Sequence, residues 1–298
     1  MPCYHPVDAY RTPTGITFNP NDKTVLHPMQ IPCGQCTGCR LRRAQDWMLR
    51  CKHEAAQWDH NCFVTLTYGR DKLPPNGSLH YPDYQAFMKR LRSAYEGQTI
   101  RFYMCGEYGP TTLRPHYHAC LFNLDFADKQ PCGKSASGNL IYKSQQLEKL
   151  WGHGLTTVQP FTPQTAAYTA RYVVDKLTGA LGERSREHID ADGEIQHRTP
   201  EFSKSSLKPG IGATWYAKFQ KDVHPNDYVI HEGRKHQVPK YYDKLLAQTQ
   251  LGEQYEDEIK YQRQQRANTN AHDNTQERLQ TKETVKRAQL RNHKRTEI

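Results

Sequence analysis

The sequence predicts an α+β protein, an antiparallel sheet with helices on one face, and three observations lead there. Cys62–Tyr68 (CFVTLTY) is a short β-branched and aromatic run of strand type. Ile100–Glu107 (IRFYMCGE) and the run RPHYHACLFN that follows it are strand-like segments separated by Gly109, Pro110, two threonines and Pro115, the residues of a hairpin turn. Helical patterns alternate with these strands, so the order reads strand, helix, hairpin, helix, strand, helix.

Residues 1–60 read as a cysteine-rich arm followed by a basic helix. In Ile31–Arg43 (IPCGQCTGCRLRR), Cys33, Cys36 and Cys39 recur every third residue, and intervening glycines give the tight backbone that thiolate ligation needs. With Cys3 or His5 in the fourth position they would form a tetrahedral zinc site. The alternative is reduced thiols beside a basic helix start. Arg40, Arg42 and Arg43, then Arg50 and Lys52, line a helix running to about Trp58, as a phosphate-contacting face or as a solvated one.

Residues 61–246 hold the core domain. Pro82 opens a helix with Tyr84, Phe87, Met88, Leu91 and Tyr95 at helical spacing, a core stripe. The hairpin follows, then a helix near Ser144–Trp151 and a strand at Leu155–Phe161. In the hairpin, alternation puts His116 and His118 on one strand face, and the turn folds Glu107 back toward them. Two imidazoles and a carboxylate make an open site for a divalent metal; two histidines on a solvated strand are the plainer alternative.

Thr162 can cap the next helix, with Pro163 in its first position and Gly179 as its stop. Ala166, Ala170, Val173 and Leu177 share one stripe of it. At about 100° per residue, Tyr168, Tyr172 and Lys176 fall on another. Two phenols kept off the core stripe and one turn apart are either amphipathic surface residues or paired nucleophiles. Gly182–Arg198 reads as a polar loop or exposed hairpin. Pro200–Trp215, with Lys204, Lys208 and the bend at Pro209-Gly210-Ile211-Gly212, reads as a phosphate track or a structural turn. Trp215, Tyr216, Tyr241 and Tyr242 either stack on unpaired bases or pack.

Residues 247–298 are polar, a solvated helix or a disordered tail. Leu251–Ile298 holds ten Lys/Arg against eight Asp/Glu, so +8 of the formal net charge of +10 belongs to the rest of the chain, a surface suited to a polyanion. No apolar run reaches membrane-spanning length, the N-terminus lacks a signal-peptide core, and a phosphate-binding G-x-x-x-x-G-K-[ST] loop is missing. These features point to a cytosolic protein whose nine cysteines are reduced, buried or metal-bound, and away from an ATP-driven motor.

Several motifs together resemble a known family. RPHYHACLF resembles the His-hydrophobic-His motif of the HUH endonucleases, with Tyr117 as the middle residue, and FVTLTY resembles their first strand motif. YTARYVVDK resembles the Y-x-x-x-Y motif of rolling-circle replication initiators. With PCGQCTGC, PEFSKSSLKPGIGATW and VPKYYDKLL in the same order, the chain is similar from about Ile31 to Leu246 to the replication initiator of gokushoviruses, microviruses of bacteria. The resemblance implies an HUH nuclease domain with a ferredoxin- or RRM-like palm and a C-terminal DNA-contacting segment. It implies Mn²⁺ or Mg²⁺ on His116, His118 and an acidic third ligand at Glu107, nucleophiles at Tyr168 and Tyr172, and a supporting cation at Lys176. Asp175 departs from the pattern, standing where a second lysine is expected.

The activity so implied is nicking of one strand of viral replicative-form DNA at the origin. The partners would be single-stranded and replicative-form DNA and the host replication machinery, with no membrane, in the host bacterial cytoplasm. A transposase or relaxase of the same chemistry, and a non-catalytic zinc-containing nucleic-acid-binding protein, are the alternatives.

Overall fold

The computed structural model describes residues 2–109, 112–135, 138–174, 187–189 and 193–292, without the side chains of residues 171–174, 188, 189, 196 and 292. By contacts the described chain divides into two compact units, residues 2–43 with 256–292, and Ala44–Tyr255. The sequence's divisions at 60 and 247 follow composition; the contact-defined units instead group the two chain ends.

In the first unit, β1 (Val7–Thr12), β2 (Gly15–Thr17) and β3 (His27–Ile31) form an antiparallel sheet in the order β2-β1-β3. Helix α1 (Thr37–Ala55) starts here and continues into the second unit. The second unit is built on a seven-stranded antiparallel sheet. Its strands are β4 (Asn61–Thr67), β5 (Arg101–Tyr108), β6 (Pro115–Phe122), β7 (Gln130–Lys134), β8 (Leu140–Lys143), β9 (Thr156–Pro160) and, after the hairpin β10 (Glu187–Ile189) and β11 (Ile195–His197), β12 (Phe202–Ser205). The order is β12-β5-β6-β4-β9-β8-β7, so the predicted hairpin β5–β6 lies next to the central strand β4.

One sheet face is covered by α2 (Tyr81–Ala94) and α3 (Gln145–Trp151). Tyr84, Phe87, Met88 and Leu91 of α2 and Leu147 and Trp151 of α3 bury against Val64, Leu66, Met104, Tyr117, Ala119 and Leu121. Complete burial of each such large side chain is worth about 1.5–3 kcal/mol, which makes this layer the main source of stability. Ser144 caps α3, accepting from Leu147 N–H at 3.0 Å, and Gly152 ends it in the left-handed conformation at φ +72°.

The α+β antiparallel architecture is as expected, and the helices expected on one face are α2 and α3. The opposite face carries a second helical layer, from α1 and α4 (Pro163–Val174). Ala44, Cys51, Ala166 and Ala170 cluster there with Phe63, Tyr103, Cys120 and Phe122. Small residues let α4 lie close to β5 and β6. Thr162 caps it as predicted, accepting from Thr165 N–H at 3.1 Å.

The rest of this unit is α5 (Ala213–Val223), the hairpin β13 (Val229–His231) and β14 (Arg234–His236), α6 (Lys240–Leu246) and the start of α7 (Gln250–Thr269). The remainder of α7 and all of α8 (Gln276–Asn292) belong to the first unit, so the polar C-terminal stretch is helical. The aromatic residues of α5 and α6 pack against α1: His53 stacks on Trp215 at 3.6 Å, and Tyr242 stacks on Tyr216 at 4.9 Å. Arg50 lies between the rings of Trp47 and Tyr241, at 4.0 and 4.1 Å.

His53 gives this corner a pH dependence. Burial, then the nearby Lys52 and His231, push its imidazole down to about 3 from its ordinary value. Its Nδ1 pairs with the Tyr242 hydroxyl at 2.9 Å. Below about pH 6.5 the unfolded chain takes up a proton that the folded chain refuses. The contribution is therefore whole above that pH and is lost as pH falls toward 3. The expected slope approaches about 1.4 kcal/mol per pH unit below pH 5.5. Urea unfolding of wild type and His53→Phe from pH 7 to 5 checks this: the slope should be shallower by that amount in the variant.

A candidate metal centre facing a tyrosine helix

The β5–β6 hairpin is closed by Gly109 N–H donating to the Arg114 carbonyl at 3.0 Å. Its register places Glu107 directly across from His116, and Cys105 across from His118. On the other side of β6, Thr65 of β4 lies across from His118. Because side chains alternate along strands, Glu107, His116, His118 and Thr65 share the face that α4 covers.

The ligand atoms converge. Glu107 Oε1 is 2.8 Å from His116 Nε2 and 2.8 Å from His118 Nε2, and all three groups offer an atom within 4.8 Å of the others. The imidazoles stand at 89° with centroids 5.0 Å apart. Glu107 and His118 are buried, while His116 keeps 15% of its side chain exposed, so the centre opens on the His116 side.

The far ring nitrogens are also held. His116 Nδ1–H donates to the Arg114 carbonyl at 3.0 Å, and His118 Nδ1 pairs with the Thr65 hydroxyl at 2.9 Å. A carbonyl only accepts, so His116 Nδ1 carries a proton. Its Nε2 and the Nε2 of His118 both face Glu107 Oε1, three donor atoms gathered where a divalent cation could sit between them. Glu107 Oε2 is buried and has no hydrogen-bond partner among the described residues, which leaves a second carboxylate oxygen available.

The charge balance agrees. Burial pushes the Glu107 carboxyl up, but His118 and His116 outweigh it and hold the group below the ordinary range. Burial holds the His118 imidazole down against the pull of Glu107. A carboxylate held ionised beside imidazole nitrogens is a donor set a divalent ion can use. Mixed nitrogen and oxygen donors suit Mn²⁺ better than Mg²⁺.

Helix α4 presents Tyr168 to this centre. Its hydroxyl donates to Glu107 Oε1 at 3.5 Å, a long contact, and its ring meets His118 edge-on at 5.2 Å and Phe63 at 6.5 Å. The backbone of Tyr172 lies one turn further along the same helix. The Tyr172 side chain, and Lys176 and Asp175 entirely, lie outside the described residues.

The other candidates lie elsewhere. Cys3, Cys33, Cys36 and Cys39 come together as a second cluster, while His5, the other option for the fourth position, pairs with Glu283 at 2.6 Å. Arg40 Nε donates to the Gln35 carbonyl at 2.6 Å and Arg43 to the Gly34 carbonyl at 3.3 Å, bracing the cysteine loop; Arg42 is half-buried in the first turns of α1. Lys204 lies across from Met104, on the α2 face, with its ammonium 5.7 Å from the Tyr81 ring. It is therefore on the sheet face away from Glu107, His116 and His118. Lys208 lines an open hollow of about 450 Å³ with Arg92, Gln98 and Ser206.

The residue that sequence reasoning missed is Thr65. The only signal was its place in FVTLT, two residues beyond Phe63 and so on the same face.

Fold and site together define the class: an α+β protein of HUH-like architecture whose antiparallel sheet gathers Glu107, His116 and His118 as a candidate cation site faced by a helix-borne tyrosine. A family model described as "Replication-associated protein ORF2/G2P" matches residues 61–177, the span from β4 past α4. Replication-associated protein VP4 of Bdellovibrio phage phiMH2K is 31% identical over 252 residues, covering 81% of this chain and 76% of the relative. Replication-associated protein ORF2 of Spiroplasma virus 4 is 32% identical over 247 residues, covering 78% and 73%. Replication-associated protein ORF4 of Chlamydia phage 1 is 25% identical over 223 residues, covering 72% and 53%. The chain belongs to this family of phage replication-associated proteins. No solved structure gives a significant match.

Proposed function

We propose that this chain is a replication initiator that nicks one strand of viral replicative-form DNA at the origin through a 5′-phosphotyrosine, starting and ending rolling-circle replication. The observation that carries the reading is the Tyr168 hydroxyl aimed at the Glu107–His116–His118 centre, 3.5 Å from Glu107 Oε1. Family membership supports a role in phage replication over the transposase or relaxase alternative.

Glu107, His116 and His118 would hold Mn²⁺ or Mg²⁺, which supplies charge to polarise a non-bridging phosphate oxygen. The chain's own residues do the rest. Thr65 and the Arg114 carbonyl fix the imidazole planes, and α4 holds the Tyr168 oxygen on the covered face of the sheet. Tyr168 Oη forms a bond to phosphorus as the bond from phosphorus to the 3′ oxygen breaks. The phenol gives up its proton, for which Glu107 Oε1 is an acceptor within reach, and the leaving oxygen takes up a proton as a free 3′ hydroxyl. One phosphodiester replaces another and no water is consumed, so the reverse reaction rejoins DNA. Tyr172, one turn along, would take the second transfer at termination.

The protein would act on single-stranded and replicative-form DNA beside host replication proteins in the bacterial cytoplasm. Among the described residues no helix is long and apolar enough to cross a membrane.

Incubation with Mn²⁺ and a single-stranded origin oligonucleotide should yield a covalent adduct that mass spectrometry maps to the Tyr168 peptide. Tyr168→Phe should lose that adduct, and Tyr168→Phe/Tyr172→Phe should lose all of it. An undiminished yield in the double variant would overturn the reading.

A further inference from the structure

The first unit holds a second ligand cluster that nicking does not use. Cys3, Cys33, Cys36 and Cys39 each offer a sulfur, and the four lie within 4.8 Å of one another. Cys3 Sγ is 3.6 Å from Cys33 Sγ and 3.8 Å from Cys36 Sγ. Disulfide sulfurs are about 2.05 Å apart, so these thiols are not paired. A tetrahedron of sulfurs each about 2.3 Å from a central zinc has edges of about 3.8 Å, which is the spacing observed.

The backbone around the sulfurs is arranged for thiolates. Cys33 N–H points at Cys3 Sγ (3.2 Å), Tyr4 N–H and Cys39 N–H at Cys36 Sγ (3.2 and 3.5 Å), and Gln35 N–H and Cys36 N–H at Cys33 Sγ (3.4 and 3.3 Å). Five amide donors on three sulfurs is more than neutral thiols, which are weak acceptors, would draw. Gly34, at φ +75°, makes the turn between Cys33 and Cys36. Gly38 has a separate role: a Cβ there would come within 2.1 Å of the Pro2 carbonyl oxygen. Only glycine lets the N-terminal arm lie on the first turn of α1 and bring Cys3 to the other three.

We infer that Cys3, Cys33, Cys36 and Cys39 bind one structural Zn²⁺ that fastens the N-terminal arm and, through it, helix α8. Among the described residues the buried apolar cluster here is Tyr4, Cys36 and Leu279, with the other three cysteines against it. His5, beside Tyr4, pairs with Glu283 one turn beyond Leu279. An apolar cluster this small is a weak anchor without a metal, and structural zinc sites supply folding energy directly. All four ligands are protein thiolates, so the site has no open position for substrate. A polynuclear iron–sulfur cluster would need its thiolates farther apart than these.

The test uses the full chain, purified under reducing conditions without added metal. Elemental analysis should find one zinc per chain, retained through dialysis against Mn²⁺. Co²⁺ replacement should give the intense absorption of tetrahedral thiolate coordination. Cys39→Ser should lose the zinc, Cys132→Ser at the exposed cysteine should keep it, and Gly38→Ala should weaken retention. Limited proteolysis should cut residues 2–43 and α8 faster once zinc is stripped. Zinc-free protein in which Cys3, Cys33, Cys36 and Cys39 all react as free thiols and give no cobalt spectrum would overturn the inference, as would iron in the site or a disulfide between Cys3 and Cys33. None of these readouts involves DNA cleavage, so the nicking proposal can fail while this one stands.

Discussion

His118→Ala is expected to lower the rate of origin nicking by at least about 10³-fold and to leave binding of the single-stranded oligonucleotide within a few-fold of wild type. Loss of metal polarisation forfeits several kcal/mol of transition-state stabilisation, and each 1.36 kcal/mol is about a factor of ten. His118 is the most enclosed imidazole of the centre, with Glu107 on one nitrogen and Thr65 on the other. Removing it deletes one of the three proposed ligands and also loosens Glu107. Thr65→Val is the finer probe, because it keeps shape and strand propensity while freeing His118 Nδ1. It should raise the Mn²⁺ concentration for half-maximal nicking by about 10–100-fold, with most of the rate restored at saturating metal. Single-turnover nicking over a Mn²⁺ titration separates the two effects. A His118→Ala protein that nicks at the wild-type rate would show that the centre does not serve cleavage.

What could be read from the sequence at this centre was local. Alternation put His116 and His118 on one face, and a run of turn residues fixed a hairpin in which Glu107 meets His116. The cap of α4 was likewise written in four consecutive residues, Thr162 to Thr165. What escaped was non-local. Phe202–Ser205 is too short and polar to declare a strand, yet it pairs with β5, about a hundred residues earlier, as the sheet edge. The basic residues of α1 disguised a core-facing side, since Glu54, His53, Leu49 and Cys51 are all buried and two of those four are polar. The C-terminal stretch read as a solvated tail because its apolar residues are few. One of them, Leu279, is buried beside Tyr4, nearly three hundred residues away, and no window along the chain can show that pairing.

The largest expected loss of stability comes from the buried Glu54 of α1. Glu54 is fully buried and Arg101 of β5 almost so, and Arg101 Nε donates to Glu54 Oε1 at 2.5 Å. Glu54 also accepts from Gly212 N–H at 2.7 Å and Trp58 Nε1–H at 3.3 Å, while Arg101 reaches the Pro209 carbonyl at 2.7 Å. The pair thus ties α1 and β5 to the bend at Pro209–Gly212, part of the Pro200–Trp215 stretch that reads in sequence as a phosphate track or a structural turn. Glu54→Leu leaves a guanidinium without its counter-charge and two N–H donors without an acceptor. The expected cost is about 3–5 kcal/mol, a large part of the 5–15 kcal/mol typical of a folded domain. Arg101→Met should cost a similar amount, by stranding the carboxylate. The double variant Glu54→Leu/Arg101→Met removes both charges at once and should recover much of the loss, because a desolvated pair earns little over a well-packed apolar one. Recovery should stop short of wild type by about 2 kcal/mol, since Gly212 N–H and the Pro209 carbonyl both stay unpaired. Urea unfolding of the four proteins gives the coupling energy directly. Strict additivity of the two single losses would mean that the charges do not interact in the folded protein, and the bend at 209–212 would then need another anchor.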